Sequence, residues 1–270
     1  MKQLFLIIYL LLPLISIKAN DFPFHGGEEL TYDIHYKYGL VMLKAGTGNF
    51  KVTESSYNNK NSFRTTLDFK TTSFFDRIYK MRDTLSSHIT ENLHPLYHIR
   101  LINEGNYHIS EEIFYNEFSA NYTEARVRRE SKEILKFDTT LTSDSKCYDL
   151  LNLISVICSF DFSQSKFTQA ETVSTFFGKE KITVTVRNEG QSIVEKSETL
   201  KYNTNRIALD FSDSNFNETK GAIEIWISDD KNQIPIKIKA KLRIGAAEVH
   251  LSSWKNLKYP LSSEIKIPKR

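Results

Sequence analysis

Over residues 222–251 the chain alternates apolar and polar side chains with a period of two. Ile223, Ile225 and Ile227 are separated by Glu224 and Trp226, with Ser228 after them. Ile234, Ile236, Ile238, Ala240, Leu242 and Ile244 then alternate again, mostly with lysine or arginine between them. That period marks strands with one apolar and one wet face. Asp229-Asp230-Lys231-Asn232 between the two runs is turn chemistry, because short acidic and amide side chains bond the local backbone. Gly245 breaks the pattern, and Val249 and Leu251 resume it. Three antiparallel strands joined by tight turns are predicted.

The same reading extends to the rest of the chain. Gly26-Gly27 precedes a first strand carried by Leu30, Tyr32, Ile34 and Tyr36. A second strand is expected at 41–52, with Ala45-Gly46 inside it, a small pair that signals a bulge or a close approach. Residues 55–61 read as a loop by composition, and 63–69 as a third strand. Residues 73–79, SFFDRIY, break the alternation and fit a short helical turn capped by Ser73. Strands are expected at 83–89, 97–102, 107–115, 120–128 and 133–137. The one long helix is expected at 145–159, capped by Asp144 or Ser145 and apolar around much of its circumference. A polar link at 163–169 leads to strands at 171–177, 181–188, 193–202 and 206–211, then a loop at 213–221. The fold class is therefore mainly β: one long curled antiparallel sheet, like an unclosed β-barrel, packed around a principal α-helix at about 145–159.

The first 19 residues read as a secretory signal peptide. Lys2 gives a positive start, 4–17 is almost wholly apolar, and Ala19 is a small residue before Asn20-Asp21. The apolar run is shorter than a membrane span and contains Pro13. No cysteine lies near the cleavage point, so the chain is not expected to be a lipoprotein. Removing Lys2 and Lys18 from 36 basic residues leaves 34 against 33 acidic ones, scattered along the chain. That balance offers no basic patch for nucleic acid. Residues 20–255 are long enough for one β-rich domain without a transmembrane segment. Residues 256–270, with Pro260 and Pro268, read as a partly ordered tail.

Only two cysteines are present, Cys147 and Cys158. Eleven residues apart on one helix, they would be separated by about 16 Å, too far to bridge. Both are expected to be free.

A search for catalytic or metal chemistry returns little. His94 and His98 have Pro95 between them, and no HExxH, paired CxxC, EF-hand loop, GxSxG or GxGxxG occurs. SxxK recurs, at Ser143–Lys146, Ser163–Lys166 and Ser228–Lys231 among other places, without its companion motifs. No metal, cofactor or catalytic residue is expected. Asp76, Arg77, Arg82 and Asp83 surround an aromatic turn and have two readings: a polar anchor at a ligand mouth, or an ion pair that fixes the turn. Trp226 lies opposite the isoleucine face and either stacks on a ligand or packs under the tail. The candidate ligand residues are Phe74, Phe75, Tyr79, Arg82, Asp83 and Trp226. The sequons at Asn121 and Asn217 matter only in a eukaryotic secretory route.

Six short motifs occur in order: Gly27-Glu28-x-Leu30-x-Tyr32, Ala45-Gly46, Asp83-x-x-x-Ser87, Tyr148-Asp149-Leu150-Leu151, Trp226-x-Ser228-Asp229-Asp230-x-x-x-Ile234-Pro235, and Gly245 before a strand. Together they resemble the DUF3108 family of bacterial exported proteins across nearly the whole mature chain. The resemblance implies export to the periplasm of a Gram-negative bacterium and no established activity. The last strands are also similar to the end of the periplasmic lipoprotein carriers LolA and LolB, unclosed barrels with a helix inside and an apolar cavity. No binding residue transfers from them.

Three functions follow as expectations. The first is a non-enzymatic binder of a hydrophobic, lipid-like ligand, suggested by the amphipathic sheet, the apolar helix and 18 Phe, 13 Tyr and 2 Trp. The second is an assembly factor of the cell envelope whose exposed strand edges or C-terminal tail meet a partner protein by strand addition. The third is a hydrolase of envelope glycan or lipid, which needs residues converging from distant strands.

Overall fold

The computed structural model describes residues 22–162, 170–212, 219–242 and 244–268. The expected signal peptide, the 163–169 link and most of the 213–221 loop lie outside them. β1 (Glu29–Tyr38), β2 (Val41–Tyr57) and β3 (Lys60–Thr71) begin a meander, followed by the short helix α1 (Ser73–Asp76). β4 (Arg82–Ile89), β5 (Pro95–Glu104), β6 (Tyr107–Phe118), β7 (Thr123–Ser131) and β8 (Ile134–Ser143) continue it. β9 (Cys147–Tyr148) and α2 (Leu150–Cys158) come next. A second meander consists of β10 (Glu171–Phe177), β11 (Glu180–Ser197), β12 (Leu200–Ser212), β13 (Thr219–Ser228), β14 (Pro235–Lys241) and β15 (Ala246–Lys255). β16 (Glu264–Lys266) pairs with β12. The meanders join where β1 pairs antiparallel with β15, which makes one sheet of sixteen strands.

The sheet is a nearly closed barrel with one seam, between β8 and the β9–β10 edge. The seam is closed by side chains. Val173, Ser174, Thr175 and Phe176 of β10 are buried in succession, so both faces of this strand are covered. Val173 joins the main core with α2, while Phe176 and Cys147 pack against Ile113, Ala125 and Val127 of β6 and β7. Polar contacts stitch the overlap. Thr123 Oγ1 donates to the Ser145 carbonyl and accepts from the Cys147 N–H, and Lys181 pairs with Asp144 at 2.8 Å.

The 222–251 unit forms as its periodicity predicts. β13, β14 and β15 are antiparallel neighbours, and Ile225, Ile227, Ile234, Ile236 and Leu251 face the core. Leu242 and Ile244 keep the alternation but are exposed, because β14 has ended. The expected close approach at Ala45-Gly46 is also present. A Cβ on Gly46 would lie 2.5 Å from the Lys70 carbonyl oxygen on the neighbouring strand.

Several boundaries differ from the sequence reading. There is no loop at 55–61: β2 runs to Tyr57, and Asn58-Asn59 alone make the turn, with φ of 48° and 62°. Asparagine tolerates that conformation, so a polar run hid a tight hairpin. The strand expected at 193–202 is cut by the turn between β11 and β12. The helical turn at 73–76 is capped by Thr72, whose side chain accepts from the Phe75 N–H. The principal helix is shorter than 145–159. Cys147 and Tyr148 pair with β10 as a strand, and Asp149 is the cap. Cys147 and Cys158 are both free and buried, on a strand and a helix rather than on one helix.

Residues 256–268, within the expected tail, are tied to the second meander. Asp230 Oδ1 accepts from the Ser228 hydroxyl and the Asn232 N–H, and Oδ2 accepts from the Ser263 N–H at 3.0 Å. Asn232 donates to the Tyr259 and Pro260 carbonyls and accepts from the Tyr259 N–H. The acidic turn thus clasps the segment that carries β16. Asp230→Ala is expected to cost about 1–2 kcal/mol and to speed amide exchange at 263–267. Unchanged exchange there, measured against β4 as reference, would show that the clasp does not hold the segment.

Candidate functional site

The inward face of the barrel is divided between apolar and polar strands. On one side, Leu30, Tyr32 and Ile34 of β1 lie in register with Phe50, Gly48 and Gly46 of β2, and Gly48 and Phe50 with Phe69 and Leu67 of β3. With Pro235, Ile238 and Val249 of the second meander and Ile154 of α2, residues of these rows line a cavity of about 250 Å³. Its surface is almost wholly apolar. Gly48 contributes space: a Cβ there would sit 3.5 Å from Ile34 Cδ1 and 3.9 Å from Leu67 Cδ1, in ordinary contact.

The other side is polar and paired by charge. Row for row, Leu85, Arg100, Glu111 and Arg129 continue the line of Leu67 across β4 to β7. Glu111 is buried and accepts from Arg100 at 3.1 Å and Arg129 at 2.6 Å. The Arg100 guanidinium lies 4.5 Å from the Phe177 ring centre.

Ser87, His98 and Asp149 meet where α2 joins the wall. The Ser87 hydroxyl lies 2.8 Å from His98 Nδ1 and donates to Asp149 Oδ1 at 2.8 Å, and Nδ1 is 3.2 Å from the same oxygen. Asp149 also accepts from the Leu151 and Asn152 N–H groups and the Asn152 side-chain amide. Burial pushes its carboxyl up, but the pull of His98 and these hydrogen bonds outweigh burial and hold it below the usual range. The residue types are those of a nucleophilic triad, and the geometry is different. A relay needs serine and carboxylate on opposite ring nitrogens, whereas here both meet Nδ1, and all three side chains are buried. The trio anchors the helix.

The six residues singled out from sequence do not form one site. Phe74 and Tyr79 are exposed and Phe75 is half-buried, on and beside α1. Tyr79 donates to Glu104. Arg82 grips Asp76 with two nitrogens, at 3.0 and 2.6 Å, and its hydrogen bonds, with that from Thr71, pull the half-buried Asp76 carboxyl down to about 2. Asp83 is buried, accepts from the Asn103 N–H, and lies opposite cavity-lining Phe69 in the β3–β4 pairing. Trp226 is on the outer face, 5.1 Å from the Lys237 ammonium and 5.6 Å from the Arg206 guanidinium. Sequence reasoning missed the lining residues because they look like ordinary core; glycine at 46 and 48 inside a strand was the available signal. Among the described residues no group of His, Cys, Asp or Glu could hold a metal ion.

Glu28 lies beside the main core. It is 2% exposed, and Oε2 accepts from the His25 N–H. Oε1 has no hydrogen-bond partner among the described residues. Burial raises its pKa to about 7, against the opposing His25 hydrogen bond and Lys258 charge.

The chain belongs to the DUF3108 family: the family described as "Protein of unknown function (DUF3108)" matches residues 31–252. A search of curated proteins returns no match. Among solved structures it is similar to a β-barrel-like protein of domain of unknown function DUF1849 from Brucella abortus. The TM-score is 0.56 and the identity 12%, over 85% of this chain and 97% of that one. At that identity the likeness carries the barrel fold alone.

Two outcomes test the buried polar groups. Asp149→Ala removes the helix cap and leaves Ser87 and His98 without their partner, an expected loss of about 2–4 kcal/mol in urea unfolding. Asp149→Asn keeps a capping oxygen and should lose clearly less; equal losses would refute the capping role. Glu28 binds a proton more tightly in the folded state than in the unfolded one. Its stabilising contribution is therefore full below about pH 4.5 and lost as pH rises through 7, up to about 3 kcal/mol. Glu28→Gln should flatten that part of the stability profile, and an unchanged profile would assign the dependence elsewhere.

Proposed function

We propose that this chain is a non-enzymatic exported protein that binds the apolar part of a lipid-like ligand inside its barrel. The carrying observation is the apolar cavity between α2 and the wall of β1 to β3, β14 and β15. A dry cavity of about 150 Å³ already accepts benzene, whereas drug-sized ligands occupy about 300–1,000 Å³. At about 250 Å³ this one suits a short acyl chain or a single ring system, with any polar head remaining outside. The segment before Ala19 would deliver the protein to the periplasm, a compartment that diacyl and acyl compounds must cross in water. No helix among the described residues is long and apolar enough to span a membrane.

An assembly role by strand addition is the second reading. One observation favours it: β8 ends the sheet path on one side, with Ile134 and Leu135 exposed. The C-terminal segment is already committed to β12 and is a poor candidate for that role.

Gly48→Leu tests the binding proposal. The new side chain would grow into the cavity from a position where a Cβ meets only ordinary contacts. The affinity for a fluorescent fatty acid such as cis-parinaric acid is expected to fall by about tenfold or more, with the melting temperature unchanged or raised. Native mass spectrometry of the exported protein should show a co-purified small apolar ligand that the variant lacks. Equal probe affinity in both proteins would sink the proposal.

A further inference from the structure

The two ends of the barrel differ in chemistry. At one end the turns at 58–59, 90–94, 198–199 and 229–233 carry Glu91, Glu198, Asp229 and Asp230 against Lys231. The leucine in these turns, Leu93, is buried. The other end is built differently. It includes the β1–β2 hairpin, α1 with the residues after it, and the β14–β15 turn. These are held together by the hydrogen bond from the Thr72 N–H to the Ala45 carbonyl and by that from the Tyr36 hydroxyl to the Ile244 carbonyl. The described residues of segments 37–44, 70–80 and 239–246 carry seven lysines and arginines and one acid, Asp76, which Arg82 already holds. Ten of the eighteen exposed large apolar side chains among the described residues lie in the same three segments.

The hairpin is the most telling part. The pairing of β1 with β15 ends at Lys37, and that of β2 with β3 begins at Gly46. Between those points the ribbon overhangs the sheet, and residues 37–44 are exposed without interruption. Leu40, Val41, Met42 and Leu43 follow one another there. Leu40 occupies the turn, where asparagine, aspartate or glycine is the usual choice, and is fully exposed. Exposed apolar runs of this length have no role in the fold. Lys37 and Lys44 flank the run, reaching Glu248 and Asp33 at its base, while Arg77 and Lys80 stand on the adjacent segment.

We propose that this end of the barrel docks on the surface of an anionic phospholipid bilayer. Leu40 to Leu43 enter the boundary between headgroups and acyl chains, and the surrounding lysines and arginines lie among the phosphates. The charge complementarity selects the occupant. A protein partner for four consecutive apolar residues would not require a basic ring around them, whereas an anionic membrane does. The inference deepens the binding proposal by naming a bilayer as the place where a lipid-like ligand would be met, and its test reads docking separately from cavity occupancy.

The exported chain is mixed with vesicles of phosphatidylcholine alone or of equimolar phosphatidylcholine and phosphatidylglycerol, and binding is measured by flotation. The protein is expected to float with the anionic vesicles only, with affinity falling as salt rises. Leu40→Asp with Met42→Asp, and separately Arg77→Glu with Lys80→Glu, should each weaken binding by about tenfold or more at unchanged melting temperature. Leu40→Trp should show blue-shifted fluorescence on anionic vesicles. Gly48→Leu should bind vesicles like the parent, whatever its effect on fatty-acid binding. No binding by the parent, full binding by the Leu40/Met42 variant, or no shift at Leu40→Trp would each overturn the proposal. So would loss of vesicle binding in Gly48→Leu, which would make ligand extraction rather than docking the cause. A concentration-dependent dimer abolished by the Leu40/Met42 substitutions, without vesicle binding, would assign the patch to a second copy instead.

Discussion

The position of α2 depends on one buried carboxylate. Asp149 caps the helix with one oxygen, receives the Ser87 hydroxyl and lies beside His98. An ionised group in that setting is tolerable only because every side of it is satisfied. This arrangement fixes the helix start against β4 and β5. From there α2 runs into the barrel, and the Gln233 side-chain amide binds the Phe160 carbonyl just beyond its other end. The helix is nine residues long, or about 14 Å. It fills part of the interior and leaves the wall around Ile34, Phe69, Ile238 and Val249 half-covered. The cavity is what a short, firmly anchored helix leaves behind.

The second constraint is closure. A continuous hydrogen-bonded barrel needs its first and last strands to pair. Here the path ends with β8 on one side and the two-residue β9 on the other, and the shortness of β9 rules out a long ladder. Tucking β9 and β10 against β6 and β7 replaces hydrogen bonds with Phe176, Cys147 and Val127. The arrangement hides the β9–β10 edge from other chains and buries Cys147, while Cys158 is buried on α2 in the main core. Burial raises both thiols well above their ordinary values.

Strand identity was legible wherever alternation was strong. The isoleucines of β13 and β14 and the Leu30-Tyr32-Ile34 row could hardly form anything else, and the sheet order follows from meanders of short turns. Turns were less legible when polar residues sat within strands, as with Ser55 and Asn61, which pair with Ser62 and Ser56 across the β2–β3 hairpin. Helix onset was misplaced because Tyr148 satisfies a helical spacing while belonging to a strand. The anchor was half visible. Ser87 and Asp149 stood in two separate motifs of the family resemblance, and nothing in a linear reading brings residues 62 apart to one oxygen. Cavities are the hardest to see, since Leu67 and Phe50 have the same composition whether they touch a neighbour or an empty volume.

The pairing of β1 with β15 links residues 29–37 to 246–255. A sheet built this way cannot lock early. β1 can fold back on β2, but its other edge has no partner until almost the whole chain is present. Loop closure over such a separation is slow compared with local hairpins. The contact that closes this join, β1 on β15, therefore waits for the last long strand of the chain.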